Sequence, residues 1–361
     1  MNDGQADEGS DDDEFGNVDD GSDADIAAAP DAELPYAGLS PDLILDAVDS
    51  VGLRTSAHLL ALGSYENRVY QVGIEDAQPV VVKFYRPQRW SDAQIREEHA
   101  FTLELAALEL PVLAPSQFAG ETLFSHGEFR FAVYPRQGGH APALDDLDCL
   151  GVLGRTIGRM HAIGRAGAFA ERPTLDVTTF GDESRSFLLD HASKGAFGLQ
   201  GDLAEDYAVL SEVLLARLHA VFARVEYSPL RLHGDLHVGN ILWRDDIPHL
   251  VDFDDARTGP AMQDLWMLLS GPRGMRMHQI MEIIEGYADF CDFDARELAL
   301  VEPLRTLRLM HHAAWLARRW RDPAFPRAFP WFGSENYWRE HLRQLQDQLQ
   351  ALDEPSLTLH P

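Results

Sequence analysis

An Asp, an Asn and a second Asp, set five and then twelve residues apart, constrain this chain more than any other feature. Asp235 and Asn240 lie in LHGDLHVGN (232–240), and Asp252 follows the apolar pair Leu250-Val251. Phosphoryl transfer needs a carboxylate to receive a hydroxyl proton and oxygen ligands to hold Mg²⁺ against phosphates. Asp235 suits the first task, and Asn240 with Asp252 suits the second. HGD also reads as a plain turn, with the Asp residues as loop caps. A strand ending at Asp252, together with a buried-looking Lys upstream, shifts the reading toward chemistry.

The chain has 361 residues, enough for two lobes with substantial cores. No run approaches the roughly 20 apolar residues of a membrane helix, and the acidic N-terminus lacks the order of a signal peptide. Cys149 and Cys291 offer neither a disulfide framework nor a zinc spacing, so a reducing, cytoplasmic setting is expected. A net charge of −29 argues against nucleic acid as a partner. Thirteen of the 59 carboxylates fall in residues 1–35, which contain no Lys or Arg. That segment is too poor in large apolar side chains to offset its ordering entropy and is expected to be a disordered tail, an acidic interaction tail being the alternative.

Residues 36–136 read as a strand-rich lobe. Ser40-Pro41 opens a helix through Ile44, Leu45 and Val48. Strands are predicted at 59–62, 67–72, 80–84, 121–124 and 129–134, with a helix over 91–108 whose core face is Phe101, Leu105 and Leu108. The segment 135–142, with Gly138-Gly139, is a linker. Residues 137–361 form a mainly helical lobe, with helices at 147–163, 202–225, 264–269, 277–290, 295–320 and 335–352 and short strands between 232 and 260. The fold class is α+β, two-lobed, with chemistry where the lobes meet.

Only Lys83 and Lys194 occur among 30 basic residues. An Arg-biased chain that keeps Lys83 inside PVVVKFY (79–85) is using a compact ammonium where a planar guanidinium fits poorly. The alternative is an edge-strand Lys that discourages aggregation; Lys194, beside Gly195, reads as an ordinary loop residue. Lys83 needs a carboxylate partner, and helical periodicity cannot choose between Glu97 and Glu98. The turn Gly63-Ser64-Tyr65-Glu66 presents backbone N–H groups and the Ser64 hydroxyl to phosphate oxygens, or is simply a hairpin turn. In an extended segment Asp252 and Asp254 point to one side. A divalent cation would neutralise them, or Arg partners such as Arg244 and Arg257 would. His233 is expected to anchor the loop backbone.

Eight blocks carry a family resemblance: GSYENRVYQV (63–72), VVKFYRP (81–87), EEHAF (97–101), FAVYPRQGG (131–139), RLHGDLHVGNILWRDD (231–246), VDFDDARTGPAMQDLWMLL (251–269), VEPLRTLRL (301–309) and RRWRDPAFPRAFPWF (318–332). They resemble the aminoglycoside phosphotransferase and choline kinase group of protein-kinase-like folds. Within it they resemble bacterial cytosolic serine/threonine protein kinases of the stress response. The resemblance implies ATP and Mg²⁺ as cofactors, with Asp235 as proton acceptor and Asn240 and Asp252 as metal ligands. It pairs Lys83 with Glu98, places Ser64 at the ATP site and gives backbone groups of Tyr134 to Arg136 to adenine. Asp264 resembles a structural acid behind the loop, N-cap duty being the alternative. Asp252-Phe253-Asp254 replaces the DFG of ordinary protein kinases, and no APE segment follows.

The expected protein is a monomeric, ATP-dependent kinase of protein serine or threonine, with Ser64 a candidate acceptor on the enzyme itself. A kinase of a small alcohol (sugar, choline, amino alcohol or antibiotic) is the runner-up. A nucleotide-sensing module without turnover is the third reading.

Overall fold

The computed structural model describes residues 34–192 and 196–359. The acidic tail expected at 1–35 lies outside them except for Leu34 and Pro35, and so does Lys194.

Ser40 and Pro41 start helix α1 (Pro41–Ser50) as expected. The Ser40 hydroxyl accepts from the Leu43 N–H, and Ile44, Ala47 and Val48 turn inward. Then come β1 (Thr55–Leu62), β2 (Arg68–Ile74), β3 (Val80–Phe84), α2 (Asp92–Ala107), β4 (Phe124–His126) and β5 (Phe129–Pro135). The strands make one antiparallel sheet in the order β1-β2-β3-β5-β4. β3 is therefore central, which removes the edge-strand reading of Lys83. Alternation puts Val82 and Phe84 in the core shared with α1, so Lys83 faces the opposite side.

Ser91 caps α2 through a capping box with Gln94. Phe101 and Leu105 are buried as expected, but Leu108 is not: it is the C-cap and 53% exposed. The helix ends one residue too early to carry it inward, and Leu110, whose N–H bonds the Leu105 carbonyl, takes the core position.

The chain crosses to the helical lobe along 136–146, where His140 exchanges backbone hydrogen bonds of 3.1 and 2.7 Å with Trp243. That lobe contains α3 (Leu147–Arg165), α4 (Glu183–Ala192), α5 (Asp202–Arg224), β6 (Leu230–Leu232), β7 (Ile241–Arg244), β8 (Ile247–Leu250), β9 (Arg257–Gly259), α6 (Arg273–Tyr287), α7 (Val301–Arg319), α8 (Ala324–Ala328) and α9 (Glu335–Ala351). β6 pairs with β9 and β7 with β8, both antiparallel. Asp245 and Asp246 turn the second hairpin with φ of +52° and +59°, the mirror-image turn that matches strand twist. Leu250 also bonds the segment after α2, through Leu113 N–H and the Pro111 carbonyl.

Two expected helices differ. Residues 264–269 are not one helix but parts of two tight turns, Ala261–Asp264 and Trp266–Leu268, whose backbone closes three-residue bonds such as Leu265 N–H to the Met262 carbonyl and Leu268 N–H to that of Leu265. Residues 295–320 split into a tight turn (Ala295–Leu300) and α7. Helix α4 and the wide turn Thr178–Asp182 before it lacked a clear periodic signature. Among the described residues no helix is long and apolar enough to cross a membrane.

α3 and α6 cross on glycine. A Cβ on Gly154 would lie 2.1 Å from the Ile283 carbonyl oxygen, and one on Gly158 would lie 2.5 Å from that of Tyr287. Backbone cannot yield as a side-chain tip does, so the helices would have to separate. Gly154→Ala is expected to destabilise the protein by about 3 kcal/mol in equilibrium denaturation. Gly274→Ala, in the same helix pair but with open space around the new methyl, should be neutral or slightly stabilising. Equal effects of the two would refute the close-packing account.

Candidate active site

The loop after β6 is fixed by a buried carboxylate. Asp264 accepts from the N–H groups of His233 and Gly234, both at 2.8 Å, and its second contact is His161 Nε2 at 3.1 Å. Asp264 is thus an internal clamp and not an N-cap. Gln263 Nε2 adds a bond to the Gly234 carbonyl at 2.8 Å. Gly234 has φ +86°, and a Cβ there would meet the Asp255 carbonyl oxygen at 2.1 Å, so only glycine fits. His233 anchors the loop as expected: fully buried, it bonds the Val251 carbonyl at 2.8 Å and packs on Phe253.

This clamp presents Asp235 at the lobe junction. Asn240 Nδ2 donates to the Asp235 carbonyl at 2.9 Å, and the Asn240 carbonyl accepts from the Val251 N–H at 3.0 Å. The second bond lays Asn240 alongside the approach to Asp252. The Asp235 carboxylate ion-pairs with Arg308 of α7, and His237 Nε2 lies 3.6 Å from its other oxygen.

Asp252 adopts a left-handed φ of +61°, and Phe253–Asp255 form a tight turn. Asp252 and Asp254 still converge on one cation, as expected, but through this turn and not through an extended strand, while Asp255 turns to other partners. Asp252 receives Lys83 Nζ at 2.5 Å, and Asp254 lies 3.4 Å from the same ammonium. Asp254 also binds Asn67 Nδ2 at 3.0 Å and Arg89. Asp255 is held by Arg89 at 3.0 Å and Arg257 at 2.7 Å. Of the two Arg partners offered as the alternative to a metal, Arg257 reaches Asp255, and Arg244 sits beside Asp245 in the hairpin turn. Arg89 was not foreseen.

Glu97 and Glu98 separate cleanly. The Glu97 carboxylate accepts from the N–H groups of Ala170, Glu171 and Arg172, tying α2 to the helical lobe. Glu98 is buried toward Lys83, yet the ammonium forms its ion pairs with Asp252 and Asp254 and not with Glu98. Behind them Tyr134 Oη meets Tyr85 Oη at 3.0 Å, and Tyr85 Oη meets His99 Nε2 at 2.7 Å. The Tyr134 side chain thus lies behind Lys83, a placement that the sequence did not suggest.

Ser64 is half-buried in the β1–β2 turn. The turn docks on the C-terminal helices. Buried Glu66 accepts from Trp315 Nε1 at 2.7 Å and ion-pairs with Arg319, Tyr65 meets Phe329 edge-on at 4.8 Å, and Arg86 reaches Asp322 at 2.8 Å. Glu66, Trp315, Arg319 and Arg308 were missed from sequence. Glu66 lies in the turn, while Arg308, Trp315 and Arg319 lie on α7, where basic residues at helical spacing usually mark a solvent face.

The chain matches the phosphotransferase enzyme family model over residues 58–301. It is 46% identical to stress response kinase A of Escherichia coli (strain K12) over 323 residues, covering 90% of this chain and 96% of the relative. The chain belongs to the phosphotransferase enzyme family. It is also 43% identical over 331 residues to the serine/threonine protein kinase RdoA of Salmonella typhimurium (strain LT2), covering 92% of this chain and 99% of that one. A microcompartment-associated aminopropanol kinase superposes with a TM-score of 0.67 at 17% identity, covering 88% of this chain and 100% of that one. The amicoumacin kinase hAmiN, solved with AMP-PNP, Ca²⁺ and Ami, gives 0.66 at 17% identity, covering 85% and 93%. The protein is a kinase with a hydroxyl acceptor, in the two-lobed α+β fold.

Two hard oxygen donors of this phosphotransferase fit a divalent cation. Asp252 has a half-exposed carboxylate, and the Asn240 amide oxygen has no protein partner among the described residues while its nitrogen is fixed on Asp235. Such a pair suits an ion that takes its remaining ligands from phosphates and water. Lys83 already marks the cation position on Asp252.

Burial disfavours the Lys83 charge, but Asp252 and Asp254 outweigh it and hold the ammonium well above its ordinary pKa. Burial also opposes the Asp255 charge, and Arg89 and Arg257 overcome it, keeping that carboxylate well below the usual range. Glu98 goes the other way: burial, only partly offset by Lys83 and Arg172, raises it from 4.5 to about 7. The folded kinase therefore binds this proton more tightly than the unfolded chain does. The resulting stability is complete below the unfolded pKa of 4.5 and is lost as pH rises through about 7. Glu98→Gln, which cannot ionise, should gain Tm relative to wild type across that window. A difference in Tm that stays constant from about pH 5 to about pH 8 would show that Glu98 takes up no proton on folding.

Proposed function

We propose that this kinase uses Mg²⁺-ATP to phosphorylate serine or threonine hydroxyls of proteins, in a bacterial stress response, as a monomeric cytoplasmic enzyme that also modifies itself. The observation that carries the reading is the convergence of Asp235, Asn240, Lys83 and Asp252 at one lobe junction, in a chain that shares 43% identity with a relative named as a serine/threonine protein kinase.

In this reading Asp235 takes the proton of the acceptor hydroxyl as its oxygen bonds to the γ-phosphorus. The bond from that phosphorus to the β–γ bridging oxygen breaks, and ADP leaves. Lys83 gives up Asp252 and turns to the nucleotide's phosphate oxygens, steadied from behind by Glu98 and Tyr134. Asn240 and Asp252 would hold Mg²⁺, which neutralises phosphate charge when bound. Ser64 and the backbone of its turn cover the phosphates, and Ser64 is the candidate site of self-phosphorylation. Tyr134 to Arg136 offer backbone groups to adenine. The strongly acidic composition supports protein over nucleic acid as the partner.

The test is purified protein with labelled ATP and Mg²⁺, offered a protein mixture and a panel of small alcohols. Phosphoserine or phosphothreonine should form, and Asp235→Asn should keep its Tm while losing about 10²–10⁴-fold in transfer. Lys83→Arg should be nearly as damaging as Lys83→Ala, because a forked cation cannot occupy the place of a point charge. Phosphopeptide mapping, with Asp235→Asn as control, checks Ser64. No phosphoprotein alongside rapid phosphorylation of one small alcohol would replace this reading with the small-molecule one.

A further inference from the structure

Arg305, Arg308, His312, Trp315 and Arg319 follow one another along α7 at steps of three and four residues and so share one face of the helix. That face runs beside the whole site. Arg308 meets Asp235, His312 stacks on Trp315, and Trp315 and Arg319 hold Glu66. In a chain of net charge −29, the stretch 305–319 contains no Asp or Glu. Asp235 is the one carboxylate that Arg308 pairs with among the described residues, and the Arg308 side chain remains 40% exposed.

That pair sits badly with the work proposed for Asp235. The Arg308 guanidinium shields the carboxylate from an approaching hydroxyl. It also occupies lone pairs that an incoming hydroxyl needs. An acceptor that carries its own anion beside the hydroxyl resolves both problems: Arg308 exchanges one carboxylate for another, and Asp235 is released. A cationic acceptor brings like charge to Arg308 and leaves the lock closed.

We propose that Arg308 is the acceptor-specificity residue of this kinase, moving from Asp235 to an acidic group of the substrate, so that the preferred acceptor is a serine or threonine flanked by acidic residues. The inference rests on the protein-kinase reading above and names the substrate class within it. The shared chemistry is an anion near the hydroxyl, supplied by Asp or Glu or by a phosphoresidue already present.

Three otherwise identical serine peptides, flanked by Glu, Gln or Lys, separate the possibilities, and a phosphoserine-flanked fourth tells the two anion sources apart. Wild-type kcat/KM should fall in the order Glu, Gln, Lys, with about tenfold or more between the extremes, the factor given by ~1.4 kcal/mol. Arg308→Glu should reverse the order, Arg308→Lys should preserve it, and the nucleotide-induced rise in Tm should persist in both variants. A phosphoserine peptide that outruns the Glu peptide would assign the anion to earlier phosphorylation; the reverse would assign it to genetically encoded acids. Either supports the exchange. Equal use of all peptides by wild type would overturn it, as would Arg308→Glu lowering every peptide by the same factor. A raised KM for ATP with the peptide order intact would also overturn it, giving Arg308 to the nucleotide phosphates. If no peptide is phosphorylated while a small alcohol is, the protein-kinase reading fails and takes this inference with it; peptides phosphorylated without regard to charge sink the inference alone.

Discussion

The Asp264 carboxylate, fully buried, decides the shape of the site. It accepts two successive loop N–H groups and faces His161, so the chain from Leu232 to Asp235 has one conformation available. Each of those N–H groups would otherwise be a buried donor without a partner, at a cost of about 1–3 kcal/mol. Asp235 and Asn240 inherit their positions from this arrangement. The left-handed Gly234 is its counterpart, letting backbone approach backbone where any side chain would collide.

Around the site the lobes meet on charged groups as well as on an apolar seam, where Phe101 of α2 packs on Phe169 and Phe253. Lys83, Arg89 and Asn67 come from the first and meet Asp252, Asp254 and Asp255 from the second. Glu66 reverses the direction, sending a carboxylate from the strand lobe to Arg319 and Trp315. Charged contacts of this kind can be exchanged for the phosphates of a nucleotide without uncovering hydrocarbon. An apolar seam could not be traded so cheaply, since each Å² of it removed from water contributes about 25 cal/mol.

Much of this was legible from sequence where the physics is local. Ser40-Pro41 and the box from Ser91 to Gln94 are short-range capping signals, and both helices begin where those signals place them. The β-branched, nearly continuous run at 80–84 marked the strand of Lys83, though only pairing on both sides shows that strand to be central. Periodicity failed where the outcome depended on distant partners. Glu97 and Glu98 flank the core face of one helix at similar angles, and only the loop at 170–172 separates their roles. Arg308 and Asp235 are 73 residues apart, beyond the reach of any local pattern. The strand geometry assumed for Asp252 broke down because that residue takes a left-handed turn, which no neighbouring glycine announces.

The hairpin β7–β8 is clasped from both sides by backbone: by His140 of the crossing segment at Trp243, and by residues 111–113 at Leu250. Together these bonds act as the stitched spine of a book. Asn240 stands at the foot of this hairpin, so the segment that carries it is held by both lobes at once.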